Sequence, residues 1–278
     1  MRRAGLASIV VFLALAGAQS AADADRYDVY AVRFATLADS PVSRLVAGAD
    51  STRRADLAMT FWVLKGLDGR IALVDSGFHR DAHLRESGVK DYIRPSEAIL
   101  PLGIQPADVT DILLTDLHWD HAGGVDLFPK AHVWVQKEQY EYYTGQAWQL
   151  ASAHAGVDPE DVLHLVRLNT SRRLTLLGGN NDFLMSGVMF NVVGEQGSSS
   201  QFIAAQGRQS LVVLAADHMP MYDSMKVRAT APAGAAARVS LVDRIVQLAS
   251  EPRLAVPGHD PAVFTRFRKI SDRIVQIE

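Results

Sequence analysis

Four side chains of metal-ligand type fall within six residues directly after an apolar strand, where Ile112-Leu113-Leu114 runs into Thr115-Asp116-Leu117-His118-Trp119-Asp120-His121-Ala122-Gly123-Gly124. Polar groups this dense at the end of a buried strand need partners, so the fold must end that strand at a polar rim. If the chain stays extended past Leu114, period-two alternation projects Asp116, His118 and Asp120 to one side and His121 away from Asp120. Such a loop can serve two metal ions, Asp116 and His118 reaching one and Asp120 and His121 the other. Gly123-Gly124 then lets the backbone pack closely as a helix starts. A solvated polar loop is the alternative for an isolated run of this kind, and context decides between them.

Composition narrows the ligand chemistry. The chain has 278 residues and no cysteine, which excludes thiolate zinc sites, disulfide frameworks and cysteine nucleophiles together. A net charge of −3, from 28 Lys plus Arg against 31 Asp plus Glu, offers no broad basic field for nucleic acid. With 48% hydrophobic residues, the length suffices for a large core. Residues 1–20 read as a signal peptide: Arg2-Arg3, an apolar run from Leu6 to Ala18, and a cleavage site near Ala16-Gly17-Ala18. The expectation is a single domain over residues 21–278, exported to the periplasm or secreted, with no stable membrane anchor after cleavage.

Hydrophobic periodicity predicts strands at Val29–Phe34, Met59–Leu64, Ile71–Val74, Asp111–Thr115 and His132–Val135. A second set is predicted at Arg173–Leu177, Phe183–Met185, Val188–Val193, Phe202–Ala205 and Leu211–Ala215. Helical patterns cover Glu138–His154, Asp158–Leu165 and Val239–Ala249, the last with Val242, Ile245, Val246 and Ala249 on one face. Two strand-rich halves with helices outside make an α/β layered domain. His79, His83, His154 and His164 read as surface residues, and His132 as a satisfied core histidine.

The run from Asp116 to Gly124 resembles the His-x-His-x-Asp-His signature of the metallo-β-lactamase fold superfamily. The other landmarks of that family follow in order: Leu73-Val74-Asp75-Ser76-Gly77, Leu214-Ala215-Ala216-Asp217, and Val256-Pro257-Gly258-His259-Asp260-Pro261. The Pro-Gly-His-Asp-Pro ending and Tyr222 look most like the branch containing N-acyl-homoserine lactone lactonases. The resemblance implies a four-layer αββα sandwich and two divalent metal ions, zinc by family habit. It assigns Asp116, His118 and Glu195 to the first ion, Asp120, His121 and His259 to the second, and Asp217 to the bridge between them.

Two departures concentrate on the first ion. Asp116 stands where the signature has its first histidine, and Gly194-Glu195 stands where the family has Gly-His. Four carboxylates then face two divalent ions, and oxygen-rich ligation brings iron or manganese into contention at the first set. The implied activity is hydrolysis of a lactone or related ester through a metal-bound hydroxide, with Asp120 and Asp217 handling protons and Tyr222 donating to the oxyanion. Trp119, Phe78, Met219 and Met221 are expected as an apolar pocket wall, which suits a small-molecule hydrophobic acyl or aryl substrate. Two other readings stay open: an iron- or manganese-dependent non-hydrolytic enzyme, and an inactive periplasmic binding protein. Oligomeric state is open, with the insertion 138–165 as the segment through which a dimer would form.

Overall fold

Alternate residues of the central strands go to two different cores, and this places the sheets and helices. The computed structural model describes residues 25–179, 183–194, 199–226 and 236–278; the expected leader, residues 1–20, lies outside them. One sheet runs β13 (Arg268–Lys269), β14 (Ile274–Gln276), β1 (Tyr27–Pro41), β2 (Arg54–Gly66), β3 (Ile71–Val74), β5 (Asp111–Leu113), β6 (His132–Gln136) and β7 (Leu174–Leu177). The short β4 (Val89–Lys90) pairs with β1. The second runs β12 (Ala255–Val256), β11 (Leu211–Leu214), β10 (Ser200–Gln206), β9 (Val188–Val193) and β8 (Phe183–Met185).

Ala72, Val74 and Leu113 point between the sheets, where they meet Phe190, Phe202 and Val213. Their neighbours Leu73, Ile112 and Leu114 point the other way, onto Phe78, Ile104, Leu165 and Leu168. Strands apolar on both faces are what a covered parallel segment requires, and β3, β5, β6 and β7 are parallel. Helices α1 (Asp81–Ser87), α2 (Pro95–Ala98), α3 (Trp119–Ala122), α4 (Lys137–Tyr143) and α5 (Pro159–Thr170) belong to that half. Helix α6 (Ala236–Leu248) packs against β11, burying Val242 and Ile245, and α7 (Val263–Arg266) follows β12. The result is the four-layer αββα sandwich.

Three expectations change. Strands β1 and β2 are longer than predicted, because bulges between Arg33 and Ala35 and between Leu37 and Ser40 interrupt the alternation. The helix predicted over 138–154 stops at Tyr143, where the Thr144 hydroxyl donates to Tyr140 O (2.8 Å); beyond Gly145 come only the 3-10 turns Gln146–Gln149 and Ala151–His154. His79 and His83 are not surface residues. Their side chains are 17% and 18% exposed, and they contact Asp126 and Asp158, each at 2.8 Å.

His83 belongs to a clamp on the loop that carries Asp116 to His121. Its ring stacks on Trp119 (centroids 4.7 Å apart, planes 15°), while Phe78 meets the same indole edge-on at 4.5 Å. Arg80 reaches Asp158 (3.4 Å) and forms a close ion pair with Asp161 on α5. Burial pushes the Asp161 carboxyl up to about 6 despite Arg80. An acid whose folded pKa exceeds its unfolded value favours folding most below the unfolded value, and that contribution falls as pH rises from about 4 to about 6. Asp161→Asn should therefore flatten the pH dependence of the melting temperature across this window. Parallel melting curves for the variant and the parent protein would refute the assignment.

Candidate metal centre

The residues of the centre lie beyond the carboxyl ends of parallel strands in both sheets, the usual rim for ligands in parallel α/β layers. Asp75 follows β3, the run Asp116–His121 follows β5, Asp217 follows β11 and His259 follows β12. Close backbone contacts hold these loops together. A Cβ on Gly124 would lie 2.1 Å from Ser76 O, and one on Gly258 would lie 2.7 Å from Ala216 O, both against backbone. The first agrees with the close packing expected of Gly123-Gly124. Gly258→Ala must push the His259 loop from the Asp217 turn, so a loss of about 1–3 kcal/mol together with weaker metal binding is expected. Unchanged urea midpoints and metal affinity would contradict it.

One ligand atom from each of Asp120, His121 and His259 falls within 4.8 Å of the others. Asp217 Oδ1 adds to this set, 2.8 Å from His259 Nε2 and 3.5 Å from His121 Nε2. The imidazoles are oriented from behind. Asp75 Oδ2 contacts His121 Nδ1 at 2.8 Å and is itself held by the Thr115 hydroxyl. His259 Nδ1 lies 3.2 Å from Ala58 O, an acceptor, so that nitrogen carries the proton. Both Nε2 atoms consequently face the cluster, the arrangement that outer partners impose on metal-binding histidines.

His121 Nε2 is buried and has no hydrogen-bond partner among the described residues, and a cation would complete its bonding. Electrostatics agree. Burial alone would lower the pKa of His121, but Asp120, Asp75 and Asp217 outweigh it and hold the ring well above its usual range. Burial likewise opposes the charged form of His259, and Asp217 more than compensates, so its pKa is raised. The surrounding protein opposes the charge of Asp217, although its side chain is 43% exposed, but His121 and His259 hold its pKa well below the usual carboxylate range. Two nitrogens and two carboxylates whose field favours positive charge fit a divalent metal ion.

Asp116 and His118 form a separate pair beside this set. Asp116 is 9% exposed, and its Oδ1 lies 3.2 Å from His118 Nδ1 and accepts from the His118 N–H at 3.1 Å. Burial raises the Asp116 pKa. Glu195, the third ligand expected there, lies outside the described residues. Tyr222 is buried, its ring 3.8 Å below the Arg266 guanidinium and its N–H donating to Asp260 at 2.9 Å. Burial pushes its phenol up to about 12, and no hydrogen bond ties that hydroxyl to the ligand cluster among the described residues.

The pocket wall differs from expectation. Phe78 and Met219 are fully buried core, and Met221 packs into a small cluster with Val42, Val46 and Leu57. An apolar cleft of about 350 Å³ is lined instead by Leu45, Val46, Val193, Pro220, Leu241 and Val242, with Arg44, Asp217 and His218 in its wall. Sequence reading also missed Asp75 as the orienting group of His121. A charged residue closing an apolar strand was its visible signal.

The sequence profile of the metallo-beta-lactamase superfamily matches residues 56–259. The N-acyl homoserine lactonase AttM of Rhizobium radiobacter is 26% identical over 187 residues, which cover 62% of this chain and 66% of the relative, just under two thirds of its length. A crystal structure of a quorum-quenching N-acyl homoserine lactone lactonase superposes with a TM-score of 0.68 at 19% identity, covering 88% of this chain and 97% of its own. A mutant of AiiA from B. thuringiensis, with N-decanoyl-L-homoserine bound at the active site, superposes at 0.66 with 20% identity, over 87% and 96% of the two chains.

Proposed function

Because this chain belongs to the metallo-beta-lactamase superfamily, we propose that it is a metal-dependent hydrolase cleaving a lactone or related ester bond of a substrate with an apolar acyl part. The observation that carries this is the convergence of Asp120, His121 and His259 on one point, with Asp217 beside them in the wall of an apolar cleft. Relatives named as N-acyl homoserine lactonases, and a structural neighbour holding N-decanoyl-L-homoserine, support the substrate class.

In this reading Asp120, His121 and His259 would hold one divalent ion and Asp116, His118 and Glu195 a second, with Asp217 available to both. Zinc suits the histidine-rich set, and iron or manganese the carboxylate-rich one. The bound metal supplies Lewis acidity to the substrate carbonyl and lowers the pKa of water. The chain does the rest. Asp75 and the Ala58 carbonyl hold the two imidazoles in place, and the cleft aligns the acyl part and excludes water. A carboxylate oxygen of Asp120 or Asp217 takes the proton of the attacking water and returns it to the leaving alkoxide. The apolar leader-like run supports action in the periplasm or outside the cell, which fractionation tests.

The deciding experiment counts metals in protein purified without added metal and assays lactones, aryl esters, phosphoesters and a β-lactam side by side. Lactone or aryl ester turnover that chelation abolishes is the expected result. Turnover confined to phosphoesters or the β-lactam, or dioxygen consumption without hydrolysis, would overturn the proposal.

A further inference from the structure

We infer that Gln139, on α4, is a positioning residue of the metal centre that orients the Asp116 carboxylate as a ligand. The inference rests on the reading of Asp116 as a ligand of the first ion. An aspartate is shorter than the histidine of the family signature, and its carboxylate rotates in a broad torsional well. It therefore needs an outer partner, as metal-binding histidines do.

Gln139 meets that need. It is 1% exposed, and its Nε2 donates to Asp116 Oδ1 at 3.0 Å. The amide's orientation follows from chemistry, since an ionised carboxylate only accepts and the NH₂ end must face it. The same oxygen lies near His118 Nδ1 (3.2 Å) and accepts from the His118 N–H (3.1 Å). Three nitrogens gather on Oδ1, leaving Oδ2 as the atom available to a cation. Tyr143, one turn along α4, stands close enough for the charge of Asp116, after burial, to help push its phenol up to about 12. One face of α4 thus addresses Asp116.

Packing alone does not account for a glutamine here. Its Oε1 is buried without a hydrogen-bond partner among the described residues, an arrangement that costs stability and that a leucine or methionine would avoid. The amide is retained where only its donor end is used, and that end points at Asp116.

Cobalt(II) titration of metal-free protein, followed by its visible absorption and by competition with a chelator, tests the role without relying on turnover. Asp116→Ala identifies the binding step that depends on Asp116 by abolishing it. Gln139→Met, of similar shape but without a donor, should weaken that step roughly 10- to 100-fold, the usual effect of losing an outer partner, and leave the other step unchanged. Gln139→Leu gives a second variant without a donor should methionine impair folding, and it should weaken the step to a similar extent. An Asp116-dependent step unchanged in the Gln139 variants would overturn the inference while leaving Asp116 a ligand. Cobalt uptake unchanged in Asp116→Ala would remove Asp116 from the ligand set and the role of Gln139 with it.

Discussion

His259→Ala is expected to empty the set formed with Asp120 and His121 and to lower kcat/KM by roughly three orders of magnitude, about 4 kcal/mol of transition-state stabilisation. His259 reaches the cluster because its Nδ1 is committed to the Ala58 carbonyl and its main-chain carbonyl accepts from the Ala58 N–H at 2.9 Å. Alanine keeps the backbone bond and removes the ligand, and no other imidazole among the described residues is placed to replace it in the Asp120 and His121 group. The negative charge of Asp120 and Asp217 then lacks a full coordination shell to neutralise it. Metal analysis should show loss from this set with the circular dichroism spectrum unchanged. A variant that keeps its full metal content and turnover would remove His259 from the centre. Asp75→Asn acts one bond further out, so a smaller loss of about 10- to 100-fold in metal affinity is expected.

Arg80→Ala should strongly destabilise the fold although it removes no candidate ligand. The Asp161 side chain is 4% exposed, and Arg80 is its cationic partner. Removing one member of a buried ion pair leaves an uncompensated charge and typically costs about 3–5 kcal/mol, a fall in melting temperature on the order of 10 °C for a chain of this size. Asp158 would lose part of its pairing as well, and Asp158 is also the carboxylate that holds His83 against Trp119. The clamp therefore couples global stability to the loop between His118 and His121. Calorimetry of Arg80→Ala checks the first effect, and Arg80→Lys, which keeps the charge but not the reach of the guanidinium, should fall between it and the parent protein. A shift below about 2 °C in Arg80→Ala would show the pair to be dispensable.

The ligand run was legible because its information is local. Asp116, His118, Asp120 and His121 stand out by residue type directly after an apolar strand, but the directions expected of an extended chain do not hold: the strand ends at Leu113 and Trp119–Ala122 is helical, which brings Asp120 and His121 to one group with His259. Asp217 and His259 were legible through their short contexts, a strand ending in aspartate and a Pro-Gly-His turn. The groups that hold these ligands were not, because each bond joins distant segments. Asp75 meets His121 across 46 residues, Gln139 meets Asp116 across 23, and the Gln201 amide reaches the Leu114 carbonyl across 87. No periodicity in one segment records a partner in another. The pocket wall failed for a related reason: Phe78, Met219 and Met221 sit beside ligands or family landmarks in sequence, but the strands and loops that carry them turn those side chains inward.

The sequence by itself determined the layered α/β class and singled out the candidate ligands, with carboxylates at two positions where the family has histidine, because these depend on residue identity and on repeats within single strands and helices. The tertiary structure alone decided which nitrogen of each histidine faces the cluster, which side chains hold them there, and where the apolar cleft opens. Those properties arise only when the ends of β3 and β5 are brought against the ends of β11 and β12, and packing two sheets face to face is a non-local event.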